Sequence, residues 1–399
     1  MTYDFSRDEN LDYDKTIADC TEALKSNPND AVAYHNRGEA FYYKGEYDTA
    51  IADFNEALKI EPDYADAYMN RGKSYAHKGE YDTAIVDYNE AVKIKPDFVR
   101  AYINRGVAYK NKGEYDTAIA DYNEALKVEP DNVIAYNNRG NAYSDKYAYD
   151  TAIANYNEVL KIKPDCAVVY NNRGVAYGGK GEYDTAIADY NKAVKIKPDC
   201  ADAYINRGNA YRDKGEYNTA IADYNEALKI KPNDAVAYME RGLAYDNKGE
   251  YDTAIADYTE ALKIKPDYAV AYNNRGVTYK NKGEYDMAIA DYTEALKIKS
   301  DFIRRISRNL VDAYIGRAEV YSKKGDYEKA ILDYTDALKI KPNDFKVLLD
   351  LGLAEKQIAK KELQGATHEC KNGQAHSRAT RFQIFLRKIC LGVPGMNKD

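Results

Sequence analysis

The chain has 399 residues, a formal net charge of -7 and 31% charged residues. Its last 35 residues carry six Lys/Arg against two acids, and this net +4 leaves -11 for the rest, which excludes a cationic track along nucleic-acid phosphates. Five cysteines without a CxxC, no apolar run near ~18 residues and a start (Met1 to Glu9) without basic or apolar leader features argue against a disulfide framework, a transmembrane segment and a signal peptide.

Nine of the ten prolines share a period. Pro28, Pro62, Pro96, Pro130, Pro164, Pro198, Pro232 and Pro266 lie 34 residues apart. Ser300 then stands where a proline is due, and Pro342 follows after an eight-residue slip. A period of this length marks a stacked array of one supersecondary unit. In chain order, residues 1–30 hold only half a unit: Tyr13, Ile17, Cys20, Ala23, Leu24 and Pro28 predict a second helix without a first. Such an end exposes apolar surface. A frayed start and end-to-end association both fit.

Full copies begin at Ala31, Ala65, Val99, Val133, Ala167, Ala201, Ala235 and Ala269. In the copy at Ala201, Tyr204, Gly208 and Tyr211 continue the face begun by Ala201, at amphipathic helix spacing. Gly215 ends that helix. Tyr217, Ala220, Ile221, Tyr224, Ala227 and Leu228 form a second helical face, which Pro232 stops. Each unit therefore predicts two short antiparallel helices. Four aromatic positions in nine copies absorb 34 of the 41 tyrosines, which assigns them to packing, each phenol needing a partner or solvent at its edge.

The aromatics at unit positions 4, 11 and 24, the small residues at 8 (Gly38 to Gly276, then Ala318), Ala at 20 and 27 and Pro at 32 resemble the tetratricopeptide repeat. The match covers about residues 8–344. It implies an all-α, right-handed superhelical solenoid of antiparallel helix pairs. Two columns depart from the family: Tyr replaces Trp at position 4, and Arg replaces Leu at position 7 from Arg37 to Arg317. The arginines are expected either to pair with acids such as Asp53 and Asp121 or to cover apolar surface with solvated heads.

The expected organisation is an incomplete repeat over 1–30, eight tandem repeats over 31–302, a basic insertion over 303–310, a ninth repeat over 311–344, a capping helix over 345–364 and a flexible basic tail over 365–399. The copy at Val133 has Tyr147 in place of the turn glycine and Val159 in place of alanine. A tyrosine at positive φ is strained, so a rebuilt turn is expected there. At the insertion the missing proline predicts that the preceding helix runs on. Arg304-Arg305-Ile306-Ser307 is a weak match to a basic-directed kinase site. In the tail, Arg378, Arg381, Phe382, Phe385, Arg387, Lys388 and Ile389 within 377–390 suit either a weak anionic partner or folding back on the last repeat. His368, Cys370 and His376 lack zinc-site spacing.

The sequence contains no P-loop, GxSxG, HExxH or dinucleotide fingerprint, so no catalytic residue, metal or cofactor is expected. The resemblance places positions 2, 5, 6, 9, 12 and 13 on a concave groove. Position 6 is Asn36, Asn70, Asn104, Asn138, Asn172, Asn206 and Asn274, interrupted by Glu240. A side-chain amide can meet both the N–H and the C=O of an extended peptide. The column is similar to the asparagine ladder in O-linked N-acetylglucosamine transferase, whose catalytic half has no counterpart here; a column of merely solvated asparagines is the alternative. Asn137, Asn141, Asn171, Ile205, Asn209 and Met239 complete the candidate peptide-binding set. A carboxylate clamp of the chaperone-binding type is excluded, because its cations are missing and Asp202 has the wrong sign. The expected function is a non-catalytic, cytoplasmic scaffold for protein or peptide partners. A self-associating array and a regulatory subunit of a separate enzyme are the alternatives, and the sequence leaves the oligomeric state open.

Overall fold

The structure, a computed structural model, describes residues 12–298 and 303–371. The chain divides into two bodies, Met1–Gly215 and Glu216–Asp399. Every described element is an α-helix. The first body begins with α1 (Tyr13–Ser26) and continues through the pairs α2 (Ala31–Tyr43) and α3 (Tyr47–Ile60), α4 (Ala65–His77) and α5 (Tyr81–Ile94), α6 (Val99–Asn111) and α7 (Tyr115–Val128), α8 (Val133–Asp145) and α9 (Tyr149–Ile162), and α10 (Ala167–Gly179) and α11 (Tyr183–Ile196), to α12 (Ala201–Asp213). The second body holds α13 (Tyr217–Ile230), the pairs α14 (Ala235–Asn247) and α15 (Tyr251–Ile264), α16 (Ala269–Lys282) and α17 (Tyr285–Lys297), and α18 (Ile303–Lys324) and α19 (Tyr327–Ile340), and then α20 (Phe345–Lys371).

Local chemistry sets the helix limits. Asp30 and Asn132 accept from the backbone N–H of Ala33 and Ala135, capping first helices. Within a pair, the turn glycine takes φ near +80°, as at Gly45, Gly79 and Gly113. Its N–H and the next one then bond back into the finished helix, as in Gly45 to Tyr42 and Glu46 to Phe41, both 2.9 Å. Each pair closes on a narrow core. Ala50 and Ala57 are fully buried in α3, as are Ala84 and Ala91 in α5, because larger side chains would hold the helices apart. The position-24 ring lies on the position-8 glycine. A Cβ added at Gly72 would sit 2.7 Å from Tyr88, and one at Gly106 would sit 2.6 Å from Tyr122.

Three expectations need correction. The turn at Tyr147 is not rebuilt. Tyr147 adopts φ 61° and keeps the sibling bonds, Tyr147 N–H to Ser144 and Ala148 N–H to Tyr143, both 2.9 Å. The packed pair dictates the turn, and the tyrosine bears the strain with its ring out in solvent. The insertion does not prolong the helix before it: α17 stops at Lys297, and Ile303–Leu310 forms the first two turns of α18. Ile306 and Leu310 face the core, where they join Ala288, Tyr292 and Ala295, so one-face apolar spacing decided which helix took the insertion. Ser307 is half-buried on that helix. Finally, some phenols lack the expected partner: the hydroxyls of Tyr122 and Tyr292 are buried without one. Burial pushes both well above the usual tyrosine range. The tail beyond Lys371, with His376 and 377–390, lies outside the described residues.

Candidate functional site

Two columns of polar side chains line the first helices, one on each side. The first is built on the position-7 arginines. Arg71 donates from Nε and Nη2 to the two carboxylate oxygens of Asp87, at 2.8 and 2.6 Å. Its Nη1 donates to Asn55 of the preceding copy at 2.6 Å. Arg105 repeats the pattern with Asp121 and Asn89. Arg173 does so with Asp189 and Asn157, and Arg241 with Asp257 and Asn225. The guanidinium also lies over the position-4 tyrosine, 5.3 Å from the Tyr68 ring centre for Arg71. Of the two sequence readings of this column, ion pairing is the one observed.

These pairs are nearly dry: the Arg71 side chain is 19% exposed and that of Asp87 is 4%. Burial holds Asp87 above the usual carboxylate range, and the guanidinium pulls the other way. The link to the preceding copy was missed in the sequence, although Asn55, Asn89, Asn123, Asn157, Asn191 and Asn225 recur sixteen residues before Arg71, Arg105, Arg139, Arg173, Arg207 and Arg241. Four members vary the pattern: Arg37 and Arg275 donate to Thr21 and Thr259 where most others meet an asparagine. Arg139 meets the neutral Asn155. Arg317, beside the insertion, turns its Nη1 to Asp286.

The second column is the position-6 asparagines. Position 5 is not on the open face; it lies at the seam between copies. His35, Met69, Ile103, Ile205, Met239 and Asn273 are buried, whereas Asn137 and Asn171 are half-buried. In several copies the amide nitrogen donates to the position-5 side chain of the copy before. Asn70 reaches His35 Nε2 at 3.0 Å. Asn104 reaches the Met69 sulfur at 3.5 Å. Asn172 reaches Asn137 at 3.1 Å and also Asn141 at 3.2 Å. Asn206 reaches Asn171 at 3.0 Å. In the second body Asn274 approaches the Met239 sulfur at 3.7 Å. A thioether only accepts, which fixes the nitrogen toward the seam in those pairs. Asn138 follows Ile103, which offers no acceptor. Asn36 is exposed and accepts from His35.

The remaining candidates are placed as follows. Asn141 also accepts from the Tyr156 hydroxyl at 2.8 Å, and Asn209 accepts from Arg212 at 3.3 Å. Ile134, Val168 and Val175 flank Asn138 and Asn172 in sequence and carry no charge. Among the described residues, no three His, Cys, Asp or Glu side chains come together as a metal site.

The 34-residue helix pair, its ring-on-glycine core and its alanine columns can be set against known proteins. The TPR repeat model matches residues 38–79, 72–113, 148–181, 179–211, 208–249 and 247–283. Tetratricopeptide repeat models match 99–132, 269–302 and 311–344, and also 20–52 and 121–154. The chain belongs to the tetratricopeptide repeat family. As a tetratricopeptide repeat chain it is a protein-interaction scaffold, and the family match resumes at Val311, directly after the insertion. Among solved structures, it is similar to a tetratricopeptide repeat protein from Parabacteroides merdae, with 20% identity and a TM-score of 0.53, over 66% of this chain and 99% of that one. It is also similar to the C-terminal part of a TPR repeat-containing protein from Cytophaga hutchinsonii, with 20% identity and a TM-score of 0.51, over 62% of this chain and 99% of that one. The MamA protein shares 31% identity over 43% of this chain and 93% of its own, with a TM-score of 0.37. No curated protein matches the chain. No described helix is long and apolar enough to cross a membrane.

Proposed function

We propose that this chain is a non-catalytic scaffold that holds extended peptide segments along the asparagine side of its first helices. One observation carries the reading: Asn104, Asn172 and Asn206 are half-buried, and each spends its amide nitrogen on the copy before it. The side-chain oxygen, with the second N–H at Asn104 and Asn206, is then left to a ligand, so the column offers acceptors at a repeating interval. A peptide main chain supplies N–H donors at every non-proline residue, whatever its side chains. The uncharged residues around Asn138 and Asn172 suit a weakly charged segment. This refines the donor-and-acceptor ladder expected from sequence into one that mainly accepts. The test is the triple variant Asn138→Ala, Asn172→Ala, Asn206→Ala, used as bait in a pull-down read by mass spectrometry. Partners captured by the native chain and lost by the variant support the proposal; the same partners at the same recovery contradict it.

A further inference from the structure

The last described helix has one side that no described residue covers. Val347, Leu351 and Ala354 of α20 pack with Val311, Ala318, Ala330 and Tyr334. The opposite side carries Phe345, Leu348, Leu349 and Leu353, and Phe345 is 81% exposed, the largest exposure among the large apolar side chains of the described residues. Gly352 lies in the same stripe. It stands eight residues into its helix pattern, where Gly38 and Gly276 stand in theirs. Those glycines are covered: a Cβ would meet Phe54 at 2.9 Å from Gly38 and Tyr292 at 2.7 Å from Gly276. A Cβ on Gly352 meets nothing within 4 Å. Thus α20 is a first helix whose ring seat is open.

We propose that this side of α20 is a self-association surface, occupied by α20 of a second copy of the chain lying antiparallel to it. The surface is its own complement. Phe345 and Gly352 are seven residues apart, about two turns, and share one side of the helix. A two-fold axis between Leu348 and Leu349 sets each Phe345 ring on the other chain's Gly352, the reciprocal contact that isologous dimers make. Between chains this repeats the ring-on-glycine contact found inside the repeats. Leu349 lies near the axis, with Leu348 and Leu353 to either side. Lys356 comes to the start of the opposing helix, where Asp344 supplies a carboxylate. One helix side is small against the ~1,200–2,000 Å² of stable interfaces, so a weak, concentration-dependent dimer is expected.

Sedimentation velocity of the full chain, from about 1 to about 200 µM, tests this together with two variants. Gly352→Leu places its side chain in space that is open in the single chain and blocks the incoming ring; Phe345→Ala removes that ring. The native chain is expected to shift from monomer to dimer across the range, and both variants to stay monomeric with melting curves no lower than the native one. Leu332→Ala, on the exposed side of α19, is expected to dimerise like the native chain. A native chain that stays monomeric throughout would overturn the proposal. So would a Gly352→Leu chain that dimerises normally, or a dimer seen only after removal of residues 372–399, which would assign the surface to the tail.

Discussion

On one side of the first helices most copies make the same contacts. Arg71, Arg105 and Arg173 each grip an aspartate sixteen residues ahead and an asparagine sixteen residues behind. On the other side the seams are solved in several ways, with His35, Met69 or Asn137 receiving the next asparagine. The difference separates two jobs. Stacking one copy on the next asks the same of every copy, so its chemistry is repeated. If the asparagine side holds peptide as proposed, it has only to keep an amide in place, and neighbouring residues are left to vary.

The largest test of the uniform side is Arg71→Met. It strands a buried carboxylate, and the expected loss is on the order of 3–5 kcal/mol by chemical denaturation. The loss depends on pH. Burial already raises Asp87, and removing Arg71 removes its main opposing influence. A carboxyl raised above its unfolded value of ~3.9 stabilises the fold below that pH, and this contribution fades as pH rises through the folded value. The defect should therefore be greatest near neutrality and shrink on acidification. A defect that stays flat down to about pH 4 would contradict the stranded-charge account. The matching change Arg139→Met leaves only the neutral Asn155, and about 1–3 kcal/mol is expected.

Smaller effects probe the packing that the two sides share. Gly106→Ala drives a methyl into Tyr122 and should cost about 1–3 kcal/mol, although alanine is the better helix former. Tyr147→Gly removes positive-φ strain at an exposed turn and should raise stability by about 1 kcal/mol. Tyr122→Phe deletes a buried hydroxyl that has no partner, so a change between zero and a gain of ~1 kcal/mol is expected in thermal melts. A clear loss would mean that this hydroxyl is satisfied after all.

The sequence made the helix pairs legible because proline, glycine and alanine act locally and at a fixed period. It also pointed to Arg37 with Asp53, since opposite charges sixteen residues apart recur in most copies. What it hid were competitions between levels. At Tyr147 a local strain of about 1–2 kcal/mol lost to the packing of α8 on α9. At the insertion, the absence of a stop residue mattered less than the burial of Ile306 and Leu310. The role of position 5 was obscured because its variety looked like open surface. Asn36 to Asn206 were visible as a column, but which end of each amide faced outward depended on the copy before, and no single repeat contains that information.

The central claim is that the asparagine side works while the arginine side holds. The most direct measurement is the Asn138→Ala, Asn172→Ala, Asn206→Ala chain, compared with the native one for captured partners and for melting temperature in the same preparation. The account predicts partners lost with little change in melting. Partners retained, or a melting loss as large as that of Arg71→Met, would contradict it.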